Sequence, residues 1–271
     1  MQRHLIFTMK NFNKALFIIL ISFGLYFALD DMFFKDLRKW FFDQTNQLGI
    51  SHMLAYLITG IPLIMSTLSI GRATDFFQNL GMDQSIIKGF LFALICTLPM
   101  YLGFSVMFEF NPNQKLNTIL IGVVSAGFFE ELYFRGFLFG LPFRKTKLGF
   151  ILSVLFGALY FGALHLYQST ELNELVGIFL ITFLGAILFA WVYVEWNFNL
   201  WVPIFLHMLM NLAWELFSVD DTALGGIYSN IFRFLTIALV IVLTLLYKKR
   251  KGVNLTVNKK TLFLQKQSEP V

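Results

Sequence analysis

The chain has 271 residues, of which 57% are hydrophobic and 14% are charged, and it contains 34 phenylalanines. A soluble domain cannot bury so much apolar surface, so this composition excludes an ordinary soluble globular protein. The formal net charge of +5 does not predict nucleic-acid binding, because the basic residues lie in short loops and tails between apolar segments. The composition predicts a multi-pass membrane protein with no nucleic-acid partner.

Apolar segments long enough to cross a membrane recur along the whole chain. A span needs about 20 apolar residues at a rise of 1.5 Å each. The segments that meet this rule are 15–34, 52–71, 86–107, 117–141, 148–166, 173–194, 200–217 and 227–247. They predict an all-α membrane protein with about eight transmembrane helices in one polytopic bundle that encloses an intramembrane polar cavity.

The connections are short, and none contains a linker that would mark a second domain. We therefore predict a tail over residues 1–14, one polytopic helical domain over 15–247, and a basic, flexible tail over 248–271. The connection 72–85 fits either a short interfacial helix or a polar loop.

The distribution of lysine and arginine predicts the orientation. The N-terminal tail, the 72–88 loop, the 144–147 loop and the C-terminal tail together carry 15 basic residues, whereas the connections on the other side carry four. Basic loops favour the cytoplasm, so both termini are expected there, in a bacterial cell membrane. Membrane lipids are accordingly expected partners, with the basic run after Tyr247 as an anchor at an anionic surface.

Two adjacent carboxylates lie inside the fourth apolar segment. Glu130 and Glu131 are followed by Arg135, and charges at membrane depth are costly enough to indicate a functional site. On an α-helix Glu131 and Arg135 are i,i+4 neighbours and can pair, while Glu130 points about 100° away. This spacing predicts one held glutamate and one free glutamate.

Two of the four histidines fall within or near later segments. His207 and Asn211 share one helix face at i,i+4 spacing, and Phe161 and His165 have the same spacing at the end of the fifth segment. Glu130 could take a proton from water, and the two imidazoles and the Asn211 amide could hold that water or donate to an oxyanion.

Other interpretations of these residues remain open. Glu130, His165 and His207 could instead bind zinc with a water, although no His-Glu-x-x-His motif occurs and Cys96 is the only cysteine. Glu131 with Arg135 alone would be a structural ion pair, and His207 with Asn211 alone a hydrogen-bonding pair between helices.

The three motifs together resemble the signature of the CPBP family of intramembrane proteases, which includes type II CAAX prenyl endopeptidases and bacterial bacteriocin-immunity (Abi) proteins. The motifs are residues 130–136, Phe161-x-x-x-His165 and His207-x-x-x-Asn211, and the resemblance covers about 70–217. It implies that Glu130 is the catalytic glutamate that activates water, and that Glu131 and Arg135 complete the first motif. It further implies that His165, His207 and Asn211 line the site. A glutamate mechanism needs no cofactor, whereas zinc remains the alternative.

The resemblance implies an intramembrane endopeptidase whose substrate is a peptide or protein at the membrane, such as a prenylated C-terminus, a bacteriocin leader or a signalling-peptide precursor. The first alternative is a non-catalytic protein of the same fold that acts as a bacteriocin immunity factor or scaffold. A proton-coupled transporter is disfavoured, because no internal repeat is visible.

The depth of the site residues poses one difficulty. His165 lies about 27 Å along its segment from the cytoplasmic side, and His207 lies about 10 Å into its own. Straight helices would not bring them to the same depth, so tilt, a kink, a cavity open to one side or shifted boundaries are expected, and the side of substrate access stays open. Glu215 and Arg233 are expected to pair as structural residues.

Overall fold

The chain is almost entirely helical. The computed structural model describes residues 2–265, with side chains from residue 14 onwards. This part contains no strand, only an isolated bridge between Leu148 and Leu264. The α-helices are α1 (Gln2–Thr45), α2 (Leu48–Thr59), α3 (Ile61–Ile70), α4 (Phe76–Leu80), α5 (Ile86–Met107), α6 (Leu116–Thr118), α7 (Gly140–Lys145), α8 (Phe150–Leu164), α9 (Leu172–Glu195), α10 (Trp201–Leu216) and α11 (Ile227–Arg250). A π-helix, Ile119–Phe139, joins α6 to α7.

The predicted all-α membrane architecture is confirmed. Among the described residues, six helices are long and apolar enough to cross a membrane, and the bent pair α2–α3 gives a seventh when it is counted as one span. The remaining predicted segment, 200–217, forms α10, whose 16 residues span about 24 Å and fall short of the roughly 30 Å hydrocarbon core. It is nevertheless central, because α10 packs against both α5 and the π-helix.

The predicted second span, 52–71, is broken rather than straight. Helices α2 and α3 meet at an angle of 43° around Gly60. Pro62 has no N–H to continue the α2 ladder, which explains the break. The hydroxyl of Tyr133 donates to the carbonyl of Tyr56 at 2.7 Å and so fastens the bend to the π-helix.

The first helix also differs from the predicted span 15–34, because it continues to Thr45. Asp30 remains inside it, where its Oδ1 accepts a hydrogen bond from Thr59 Oγ1 at 3.1 Å. The side chains of residues 1–13 of the predicted N-terminal tail lie outside the described residues.

The basic segments gather at one end of the bundle, called the basic end. It comprises the connections 71–85, 144–149 and 196–200 and the segment 251–265. Arg144 Nη1 donates to the Gln78 carbonyl at 2.8 Å, and Leu200 N donates to the Gly81 carbonyl at 3.0 Å. The predicted placement of this end in the cytoplasm stays a prediction.

The described part of the predicted flexible tail lies on the body of the protein. Glu195 is fully buried, pairs with Lys248 at 2.9 Å, and accepts the N–H groups of Thr256 and Val257. Backbone carbonyls of residues 261–263 accept the first N–H groups of α8, which have no partner within their own helix. Residues 266–271 lie outside the described residues.

Candidate active site

One cavity of about 620 Å³ runs between the π-helix, α8, α9, α10 and α11. Five of the six predicted site residues line it, and these are Glu130, Arg135, His165, His207 and Asn211. Glu131 lies behind this wall and is completely buried. The structure therefore brings residues from three separate motifs to one place.

Glu131 holds two positively polarised side chains in place. Its Oε1 lies 3.1 Å from Arg135 Nη1 and 2.8 Å from His207 Nδ1. The contact with Arg135 is an ion pair and not a hydrogen bond, because the N–H groups of Nη1 do not point at the oxygen. A carboxylate only accepts, so Nδ1 of His207 carries the proton, and Nε2 faces away from Glu131.

Glu130 is the more available of the two carboxylates. Its side chain is 25% exposed, and its Oε2 lies 3.9 Å from His207 Nε2. This separation is too long for a direct hydrogen bond and suits a water bridge. Within the described part of the chain, the Oε2 atoms of both glutamates lack a hydrogen-bond partner, but only Glu130 lines the cavity.

His165 and Asn211 are oriented by backbone carbonyls. His165 ends α8, and its Nδ1 lies 2.8 Å from the Phe161 carbonyl, so this nitrogen carries the proton. Its Nε2 donates only when the ring is protonated. Asn211 Nδ2 donates to the Gly122 carbonyl at 2.8 Å and keeps a second N–H for another acceptor.

The π-helix decides which of its residues face the cavity. Gly122, Ala126, Glu130 and Arg135 all line it, at intervals of four, four and five residues. In an α-helix Glu130 and Arg135 would point about 140° apart. A π-helix bonds residue i to i+5, so a residue five positions on returns to nearly the same side. The α-helical geometry assumed for this segment in the sequence analysis is thereby corrected.

Two phenylalanines enclose the guanidinium of Arg135. Its Cζ lies 4.4 Å from the ring centre of Phe161 and 5.6 Å from that of Phe189. Phe189 also lies 5.9 Å from the imidazole of His207. Sequence reasoning missed Phe189, because nothing in its neighbourhood distinguishes it from the other 33 phenylalanines.

The predicted pair of Glu215 and Arg233 does not form. Arg233 instead donates to the Ala223 carbonyl and to Asn230 Oδ1, both at 2.9 Å, while its guanidinium lies over Trp214. Both Glu215 and Arg233 line the cavity, at its end away from the glutamate pair. The sequence could not reveal that the pair is absent, because the partners of Arg233 include the carbonyl of Ala223 in the 220–226 loop.

The candidate zinc ligands do not assemble into a metal-binding group. Glu130 and His207 are neighbours, but His165 does not join them, and the described residues contain no cluster of three His, Cys, Asp or Glu that could hold an ion.

A comparison with protein families bears on this arrangement. Residues 112–213 match the family model described as type II CAAX prenyl endopeptidase, Rce1-like. This match confirms the resemblance to the CPBP family. The matched segment contains all three motifs and covers less than half of the chain. It is shorter than the range 70–217 over which the sequence analysis found the resemblance. No curated protein and no solved structure gives a significant match. At family level, the resemblance supports a membrane-embedded endopeptidase.

Proposed function

We propose that this chain is an intramembrane endopeptidase in which Glu130 activates the attacking water. The observation that carries the proposal is that the two glutamates have different contacts. Glu131 is bound to Arg135 and His207, whereas Glu130 lines the cavity, and its buried Oε2 has no hydrogen-bond partner in the described structure. A general base must be free to reach the water that it deprotonates.

The reaction follows from this geometry. A water held between Glu130 Oε2 and His207 Nε2 attacks the carbonyl carbon of a peptide bond and gives its proton to Glu130. The resulting oxyanion accepts the second N–H of Asn211, and Glu130 returns the proton to the leaving amine as the C–N bond breaks. One water is consumed, and the products are a carboxylic acid and an amine.

Arg135 and Glu131 have a positioning role in this scheme. The Glu131 carboxylate fixes the tautomer and direction of His207, as an acidic residue orients the histidine of a hydrolase triad. Arg135 places a positive charge beside the buried carboxylate of Glu131. Neither residue needs to contact the substrate.

Replacing Glu130 tests the proposal. The variant Glu130→Gln removes the base with almost no change of shape, so peptide hydrolysis should fall by about 100-fold or more. The assay uses full-length protein in liposomes with a mixed library of quenched fluorescent peptides. Glu109→Gln, in an exposed loop, is the matched control and should keep full activity. Wild-type cleavage by Glu130→Gln would refute the proposal, and unchanged cellular phenotype would favour the non-catalytic alternative.

We further propose that hydrolysis needs no metal cofactor. This is supported by a mechanism that uses only the chain's own groups and by the separation of His165 from the Glu130–His207 pair. Activity should survive dialysis against a strong chelator. If dialysis abolishes the activity and added zinc restores it, the proposal of a metal-free mechanism is wrong.

A further inference from the structure

The cavity opens away from the basic end. Its walls near the mouth come from Tyr167, Gln168 and the 220–223 loop. These segments belong to the opposite end of the bundle, where Ala223 N donates to Gln168 Oε1 at 2.7 Å. None of the described cavity-lining residues comes from the connections or the C-terminal segment of the basic end.

The basic end itself is packed shut. Tyr193 is fully buried there, and its hydroxyl donates to the Leu80 carbonyl at 3.2 Å. Arg144 Nη2 donates to the same hydroxyl at 3.1 Å and also contacts the Asn79 carbonyl, while Nη1 donates to the Gln78 carbonyl at 2.8 Å. A peptide arriving from this side would have to separate these groups before reaching Glu130.

The cavity is also open sideways, between α9 and α11. Leu184 and Phe234 line it, and 58% and 62% of their surfaces are exposed. Nearer the basic end the two helices meet, because the Trp196 ring stacks on Tyr247 at 4.5 Å and its Nε1 donates to Thr244 Oγ1 at 3.0 Å. The two helices therefore form a cleft, the α9–α11 cleft, that is closed at the basic end and open towards the other.

We propose that the substrate is a membrane-embedded peptide segment that enters through the α9–α11 cleft from the membrane half opposite the basic end. With the basic end in the cytoplasm, this is the outer half of the membrane. The apolar edges of the cleft suit a peptide that stays in lipid, and the polar mouth suits the part that leaves it. The inference rests on the proposed function, whose scissile bond must come within reach of Glu130.

Cysteine labelling in intact cells tests the side of access. Cys96, which is buried, is first replaced by Ala, and single cysteines are then placed at Ala126 in the cavity or at Asp83 in an exposed loop of the basic end. A membrane-impermeant thiosulfonate should label Ala126→Cys in intact cells and Asp83→Cys only after permeabilisation. The reverse pattern, or labelling of Ala126→Cys only after permeabilisation, overturns the proposal.

A second cysteine position controls for misfolding of the Ala126→Cys variant. Tyr167→Cys lies at the mouth, where the side chain is 85% exposed, and should label in intact cells like Ala126→Cys. A cavity cysteine that stays unreactive in folded, detergent-solubilised protein, while Tyr167→Cys reacts, would show that water does not reach Glu130 by this route. That result also overturns the proposal.

A bulky side chain in the cleft tests the path itself. Gly185 lines the cavity, and a Cβ there meets nothing within 4 Å, so Gly185→Trp starts from open space and places a bulky ring in the cleft. Gly24 in α1 has the same free space on another face, so Gly24→Trp is the matched control. We expect Gly185→Trp to slow labelling of Ala126→Cys at least tenfold and Gly24→Trp to change it less than twofold. Equal rates for both variants exclude the cleft.

These experiments need no catalysis, which separates the two proposals. Adding Glu130→Gln to the Ala126→Cys chain should leave labelling and its block by Gly185→Trp unchanged. Loss of peptide hydrolysis without any change in labelling supports both proposals. Unchanged hydrolysis in Glu130→Gln removes the function while the cleft stands.

Discussion

Glu130 and Glu131 have identical chemistry and adjacent positions, but their surroundings differ. Glu131 has no exposed surface and contacts both Arg135 and His207. Glu130 keeps a quarter of its side chain exposed towards the cavity. Removing the charge of Glu131 should therefore destabilise the fold, whereas removing the charge of Glu130 should reduce only the peptide hydrolysis.

The comparison of Glu131→Gln with Glu130→Gln tests this difference. Glu131→Gln leaves Arg135 buried without a counter-ion, which costs about 3 kcal/mol. We expect its unfolding temperature in detergent to fall by roughly 5–10 °C, and that of Glu130→Gln to stay within about 2 °C of wild type. Equal destabilisation by both changes would show that the two carboxylates share one structural role.

The roles at residue scale were only partly readable from the sequence. The i,i+4 spacing of Glu131 and Arg135 predicted their ion pair, which the structure contains. The second contact, from Glu131 to His207, joins residues 76 positions apart. No local pattern specifies such a contact, because it depends on how α10 is set against the π-helix.

The packing of the π-helix on α10 sets the geometry of the site at the scale of elements. Gly127 lies where the two meet, and a Cβ there would come within 2.5 Å of Met208 Cγ and 3.1 Å of its backbone nitrogen. Met208 follows His207 directly, so the missing side chain of Gly127 allows the imidazole to reach both glutamates.

Gly127→Ala should therefore impair the site without touching a catalytic group. Forcing a methyl into this contact costs about 1–3 kcal/mol and moves α10 away from the π-helix. We expect peptide hydrolysis to drop at least fivefold. Gly24→Ala in α1 is the control, since its Cβ meets nothing within 4 Å. Full activity of Gly127→Ala would mean that the close approach is not required.

The π-helical winding marks a limit of sequence-based prediction at this scale. The segment 117–141 is apolar on nearly all sides, so its pattern shows length but not period. The wider turn places Glu130 and Arg135 on one side, where both line the cavity. This helix packs against α2, α8 and α10, which lie elsewhere in the chain.

Charge is distributed unequally over the whole molecule. The basic residues crowd one end, and the cavity opens at the other with an excess of carboxylates. The charged groups that line it are Glu130, Glu215, Asp220, Asp221, Arg135 and Arg233. Four carboxylates against two guanidinium groups give the cavity a negative potential, which attracts cations into an enclosed space.

This potential predicts a preference between thiol reagents of opposite charge. The cysteine of Ala126→Cys should react about tenfold faster with a cationic than with an anionic thiosulfonate, relative to the same ratio at Asp83→Cys. Replacing Asp220 and Asp221 by Asn should reduce the preference, as should high salt. An unchanged ratio in the double variant would show that the mouth carries no effective charge.

The sequence by itself determined the class of the protein and predicted which side chains form its site. Apolar length requires helices in a membrane, and charges inside such helices indicate a site, because both inferences rest on local composition. Only the tertiary structure decided that His207 stands between the two glutamates, that the helix carrying them is a π-helix, and that their cavity opens away from the basic end. These features depend on contacts between distant segments, and their energies are set by packing that no single segment contains.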